Sequence, residues 1–137
     1  MSYVDSSVLV SIAAAEPDCE EMAELCRKSS RLVTSPVSQI EAALATGRIF
    51  DRDYSFGAAQ VREVIAGLRI EVLAVPSDIA GAVMEAYLSF GKGTGHPAKL
   101  NFGDCFSNAM AKRLNIPLLF KGGDFAKTDL GHTTTHG

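Results

Sequence analysis

Tyr3-Val4-Asp5-Ser6-Ser7-Val8-Leu9-Val10-Ser11-Ile12 passes from a short apolar stretch, through one carboxylate, straight into a helical period. Val8, Leu9 and Ile12 recur at the spacing of one helix face, so the stretch reads as a strand at 3–4 followed by a helix over 6–15. The same grammar returns along the chain. Leu32-Val33-Thr34 reads as a strand, and Ser35-Pro36 as the entry to a helix, with Ser as N-cap and Pro in the first helical position. That helix carries Ile40, Ala43 and Leu44. Further helices are expected from Asp18, where Glu21 completes a capping-box pattern, over 55–68, over 77–90 up to Gly91, and from the Asn101 cap to 114. Strands are expected at 71–75 and 118–120. Strands alternating with helices imply an α/β fold, a short and mostly parallel central sheet with helices on both faces.

Composition narrows the function classes. At 137 residues the chain is long enough to bury a core as one domain. That domain is expected over 1–131, with the Thr-rich tail 132–137 as a short edge strand or a fraying end. A net charge of −3 argues against broad electrostatic binding to nucleic acid, and the absence of Trp offers no platform for stacking bases. Three cysteines with no C-x-x-C pair fit reduced thiols. No apolar run reaches the roughly 20 residues of a membrane span, and the polar start Met1-Ser2-Tyr3-Val4-Asp5 does not read as a signal peptide. A cytoplasmic protein is the expectation.

The chemistry lies in four acids. Asp5 closes the first strand, Glu41 sits about two turns into a helix that follows a strand, Asp104 falls in the first turn after Asn101, and Asp124 follows the last strand after Gly122-Gly123. In an open α/β sheet, ligands bind beyond the carboxyl ends of the strands, and all four acids can reach that edge. Carboxylates in apolar context are costly to desolvate singly, whereas an oxygen-rich cluster suits Mg²⁺ or Mn²⁺. Simpler roles stay open: Asp5 as a helix N-cap, Asp104 as a capping-box acid, Asp124 as a turn residue. Asn108, one turn after Asp104, either supports a ligand or satisfies buried backbone.

Four segments together resemble the PIN-domain ribonucleases, and more narrowly the VapC toxins of bacterial type II toxin–antitoxin modules. They are Val4-Asp5-Ser6-Ser7-Val8-Leu9, Ser38-Gln39-Ile40-Glu41-Ala42-Ala43, Leu100-Asn101-Phe102-Gly103-Asp104-Cys105-Phe106 and Pro117-Leu118-Leu119-Phe120-Lys121-Gly122-Gly123-Asp124-Phe125. The resemblance runs from Val4 to about Leu130. It implies a PIN-like domain with a Mg²⁺- or Mn²⁺-dependent endoribonuclease site, in which Asp5, Glu41, Asp104 and Asp124 are the catalytic and metal-holding acids and Ser6 adds a hydroxyl. It also implies an RNA substrate, a homodimer and silencing by a VapB-like antitoxin, with the helices at 18–29 and 36–48 as docking surfaces. The chain departs from the family pattern at Gly123, where many relatives carry an acid.

Other features carry less. Lys92, Lys99 and Lys121 surround the later motifs and are candidate phosphate contacts. Gly91-Lys92-Gly93-Thr94-Gly95 follows a helix and precedes Pro97, so it fails the P-loop pattern. His132 and His136 lie in the Thr-rich tail and make no metal site. Two other functions compete: a receiver-type phospho-acceptor domain and a non-catalytic binding module with a PIN-like fold. The first wants an acceptor Asp after a middle strand, which Val33-Thr34-Ser35 and the residues 72–76 do not offer.

Overall fold

The structure is a computed structural model that describes residues 1–96 and 100–122 and the backbone of 135–136. Five strands, β1 (Ser2–Val4), β2 (Leu32–Thr34), β3 (Glu71–Val72), β4 (Leu118–Lys121) and β5 (Thr135–His136), form one sheet in the order β3-β2-β1-β4-β5. Every pairing is parallel, with Tyr3 opposite Val33 on one side and Leu118 on the other. Six helices connect them: α1 (Ser6–Ala13), α2 (Cys19–Arg27), α3 (Pro36–Ile49), α4 (Tyr54–Gly67), α5 (Ile79–Phe90) and α6 (Phe102–Leu114). The α/β expectation holds, with helices on both faces.

The two-residue period of the strands sorts the core into two halves. Tyr3, Val33, Leu118 and Phe120 join Leu100, Phe106 and Met110 in a cluster under α5 and α6. Val4, Leu32 and Leu119 point the other way, into a cluster with Val8, Leu9, Met22, Cys26 and Val61 from α1, α2 and α4. Cys19, Cys26 and Cys105 are free thiols. Among the described residues no helix is long and apolar enough to cross a membrane.

Local chemistry explains most element boundaries. The Ser35 side chain accepts from the Ser38 N–H and Pro36 opens α3, as the Ser-Pro pair predicts. Asn101 and Asp104 form a reciprocal capping box on α6, which ends on Asn115 in the left-handed conformation at φ 55°. α3 and α4 pack unusually close, because a Cβ on Gly57 would stand 1.9 Å from the Ala43 carbonyl oxygen.

Three expectations need correction. α2 has no capping box: the Asp18 side chain makes no cap hydrogen bond, because its Oδ1 accepts from Ser11 Oγ at 2.6 Å and faces Lys121 Nζ at 3.1 Å. β3 stops at Val72 rather than 75, with one further bond from Leu73 N–H to the Thr34 carbonyl before Pro76, which has no N–H to donate. α5 begins at Ile79, not 77, after an Asp78 that makes no cap bond; the Asp78 carboxylate pairs instead with Arg113 at 3.0 Å.

Candidate functional site

The strand order changes direction between β1 and β4, because the chain winds outward through β2 and β3 on one side and β4 and β5 on the other. A crevice opens beyond the carboxyl ends of the strands at such a switch point. β1 ends there on Val4 and hands Asp5 to the N-cap of α1. β2 leads to Ser35 and into α3, which brings Glu41, and α6 contributes Asp104. Asp124 and Lys99 lie outside the described residues.

Asp5 is only 2% exposed. Its Oδ2 accepts from the Ser7 N–H at 3.0 Å and from Ser7 Oγ at 2.6 Å, and its Oδ1 accepts from Ser107 Oγ at 2.6 Å. The cap and the site position therefore coincide rather than compete. Ser7 also accepts from the Lys121 N–H at 3.0 Å, which ties the β1–α1 junction to the end of β4. Asp104 likewise caps: its Oδ2 accepts from the Asn101 N–H at 3.2 Å. Both carboxylates stand at helix N-termini, where peptide dipoles favour negative charge.

Glu41 has no such help, since it sits inside α3. Burial is the first cause that lifts its pKa from 4.5 to about 7; the charges of Asp5 and then Asp104 add to it, and only the Ser6 hydroxyl pulls the other way. The three acids thus share one electrostatic neighbourhood. Glu41 Oε1 is buried with no hydrogen-bond partner, although a buried polar atom is rarely left that way. The carboxyl is pressed flat against α6: a Cβ on Gly103 would stand 1.8 Å from Glu41 Oε2. The glycine beside Asp104 is the seat of Glu41.

Three further candidates fall within the described residues. Asn108 is buried and lines a hollow of about 460 Å³ between α5 and α6 with Glu85, Ser89, Lys112 and Arg113. The Lys121 ammonium lies 3.1 Å from both Glu16 and Asp18, so its charge is already engaged. Lys92 is exposed in the turn after α5, and its carbonyl accepts from Tyr87 Oη. Sequence reasoning missed Ser7, Gly103 and Ser107. Ser107 had a legible signal, since it follows Asp104 by three residues and falls on the same helix face.

The donors are of the chemical type that divalent cations take. Three carboxylates suit a hard ion, and the orphaned Glu41 Oε1 and the side-chain-free surface of Gly103 leave acceptor capacity in place. Among the described residues no group of three or more acidic, His or Cys side chains is placed to hold a metal ion.

The PIN domain family model matches residues 2–130. The chain belongs to the PIN-domain family. It is 37% identical over 142 residues to a VapC ribonuclease of Rhizobium meliloti (strain 1021), covering 96% of this chain and all of that relative. Ribonuclease VapC30 of Mycobacterium tuberculosis (strain H37Rv) is 38% identical over 130 residues, 93% of this chain and 94% of its own length. Among solved structures, the sarcin–ricin loop cleaving toxin VapC20 of Mycobacterium tuberculosis superposes with a TM-score of 0.71 at 17% identity, covering 98% of this chain and 97% of that one. A toxin–antitoxin complex from Klebsiella pneumoniae contains a chain with a TM-score of 0.63 at 15% identity, over 92% of this chain and 91% of that one. At those identities the structural matches speak for the PIN fold alone. The receiver-type alternative is set aside by the family assignment.

Proposed function

We propose that this PIN-domain protein is a Mg²⁺- or Mn²⁺-dependent endoribonuclease, the toxin of a toxin–antitoxin pair. The observation that carries the reading is the Glu41 carboxyl, buried against Gly103 with Oε1 unpartnered and raised toward pKa 7 by burial, Asp5 and Asp104. Relatives at 35–38% identity over most of the chain are named as VapC ribonucleases, which is the ground for RNA as substrate.

Asp5, Glu41 and Asp104 would hold the cation, with Asp124 as a fourth acid. When bound, a divalent ion activates water and stabilises the leaving oxygen of a phosphodiester. The chain's own work is positional. Ser7 and Ser107 hold both oxygens of Asp5 in place, the capping box holds Asp104, and Gly103 admits the Glu41 carboxyl close to α6. Glu41 holds a proton up to near-neutral pH and gives it up as positive charge arrives.

The partners follow from relatives and surfaces. α2 spends Met22, Ala23 and Cys26 on the core, whereas α3 leaves Ile40 and Leu44 exposed, at 47% and 42%. That makes α3 the better candidate of the two helices for an antitoxin contact or a homodimer.

The test is cleavage of a small-RNA pool in Mg²⁺, in Mn²⁺ and in EDTA, with Asp5→Asn as the control. Asn caps helices as well as Asp, so that variant is expected to fold. Cleavage that needs metal and disappears in Asp5→Asn supports the reading. Cleavage undiminished in EDTA removes metal dependence, and binding of RNA without cleavage under any condition leaves a non-catalytic module.

A further inference from the structure

Behind Asp5 lies a run of buried hydroxyls that none of the acids explains. Ser107 Oγ donates to Asp5 Oδ1 at 2.6 Å. Ser38 Oγ stands 3.5 Å from Ser107 Oγ, Tyr3 Oη stands 2.8 Å from Ser38 Oγ, and Tyr3 Oη is also 2.8 Å from Ser35 Oγ. Tyr3, Ser35, Ser38 and Ser107 are each fully buried. The four side chains come from β1, the α3 N-terminus and α6.

The direction of this chain follows from proton counting. A carboxylate offers only lone pairs, and each hydroxyl owns a single proton. Ser107 therefore spends its proton on Asp5 and can only accept from Ser38. Ser38 then accepts from Tyr3, and Tyr3 accepts from Ser35. Ser35 in turn accepts the Ser38 N–H at 3.4 Å. Every donor points toward Asp5, and hydrogen bonds aligned in series strengthen one another.

We propose that Ser107 is a positioning residue for the metal site: backed by Ser38, Tyr3 and Ser35, its hydroxyl fixes the Asp5 carboxylate in the orientation that receives the cation. The proposal rests on the metal-dependent reading of the site and adds a residue to it. Its longest link, 3.5 Å between Ser38 and Ser107, predicts that influence fades with distance along the chain.

The test is Mn²⁺ affinity, by calorimetry or by the spin-resonance signal of the free ion, with melting curves in EDTA as the measure of folding. Partners that orient a metal ligand change affinity by roughly 10- to 100-fold when removed. Ser107→Ala is expected to raise the Mn²⁺ dissociation constant about tenfold. Tyr3→Phe, which removes one oxygen and keeps the ring, is expected to raise it by a smaller factor. In the Ser107→Ala background Tyr3→Phe adds nothing, because the chain is already cut; a merely packing role would give additive changes in melting and none in affinity. Parental Mn²⁺ affinity in folded Ser107→Ala, alongside its loss in Asp5→Asn, overturns the proposal. Should Ser107→Ala fail to fold, Tyr3→Phe decides: weakened Mn²⁺ binding supports the chain and parental binding overturns it. Mn²⁺ affinity unchanged in Asp5→Asn removes the metal-site reading itself, and the proposal with it.

Discussion

Glu41 is the residue in which folding and function pull against each other. Its carboxyl is buried beside two other acids, so the folded protein holds a proton that the unfolded chain releases near pH 4.5 and the folded one only near 7. Between those values the folded state binds more protons, and stability therefore falls as pH rises. Melting curves in EDTA from pH 4.5 to 8 are expected to show this decline, and Glu41→Gln, which has no proton to lose, is expected to flatten it. Mn²⁺ affinity should rise over the same interval, since cation and proton compete for one carboxyl. Gly103 gives the second residue-scale prediction. In Gly103→Ala the new methyl group meets the free end of the Glu41 side chain, which can swing aside. Stability is expected to change by less than about 1 kcal/mol, because the helix gains from Ala over Gly what the contact costs. Cleavage is expected to drop at least tenfold, as for other losses of ligand positioning. Denaturant melts and initial rates on one preparation separate the two effects.

At the scale of elements, the same substitution has the opposite balance where α3 meets α4. In Gly57→Ala the methyl group meets the Ala43 carbonyl, a backbone atom that cannot rotate away. Overpacking of that kind costs about 1–3 kcal/mol, and a urea midpoint lowered with an unchanged slope would register it. The elements themselves were largely legible. Hydrophobic period and end signals located the βα alternation, the Ser35-Pro36 entry and the Asn101 cap, because each rests on neighbours in sequence. The failures have two different sources. Asp18 looked like a capping residue by its spacing to Glu21, but its carboxylate found Ser11 and Lys121, the latter more than a hundred residues away in sequence. Asp53, whose side chain caps α4 by accepting from the Phe56 N–H, was hidden among the charged residues 51–53. At Asp18 the partner Lys121 is invisible to any window of sequence, whereas at Asp53 the bond is local and only masked by its charged neighbours.

For the whole molecule, the parallel sheet matters because its switch point gathers residues that sequence keeps apart. The acids stand out in the sequence as carboxylates in apolar surroundings, and in the fold the charges of Asp5 and Asp104 act on Glu41. Of the hydroxyls behind Asp5, Ser107 carried a helix-face signal through its spacing to Asp104, whereas Ser38 is unremarkable in its helix until the fold brings it to Tyr3 and Ser107. Cation binding should be visible as stabilisation: a ligand at 100 times its dissociation constant adds about 2.7 kcal/mol, several degrees in a domain of this size. An unchanged melting curve at millimolar Mg²⁺ and Mn²⁺ would count against the site. The central claim is that Asp5, Glu41 and Asp104, delivered by β1, α3 and α6, act as one RNA-cleaving unit. The most direct test compares single-turnover cleavage of a small-RNA pool in Mg²⁺ by the parent, Asp5→Asn, Glu41→Gln, Asp104→Asn and the triple variant. Groups that act as a unit are strongly non-additive, so each single variant is expected to lose roughly what the triple variant loses. Folded Asp104→Asn cleaving at the parental rate would contradict the account.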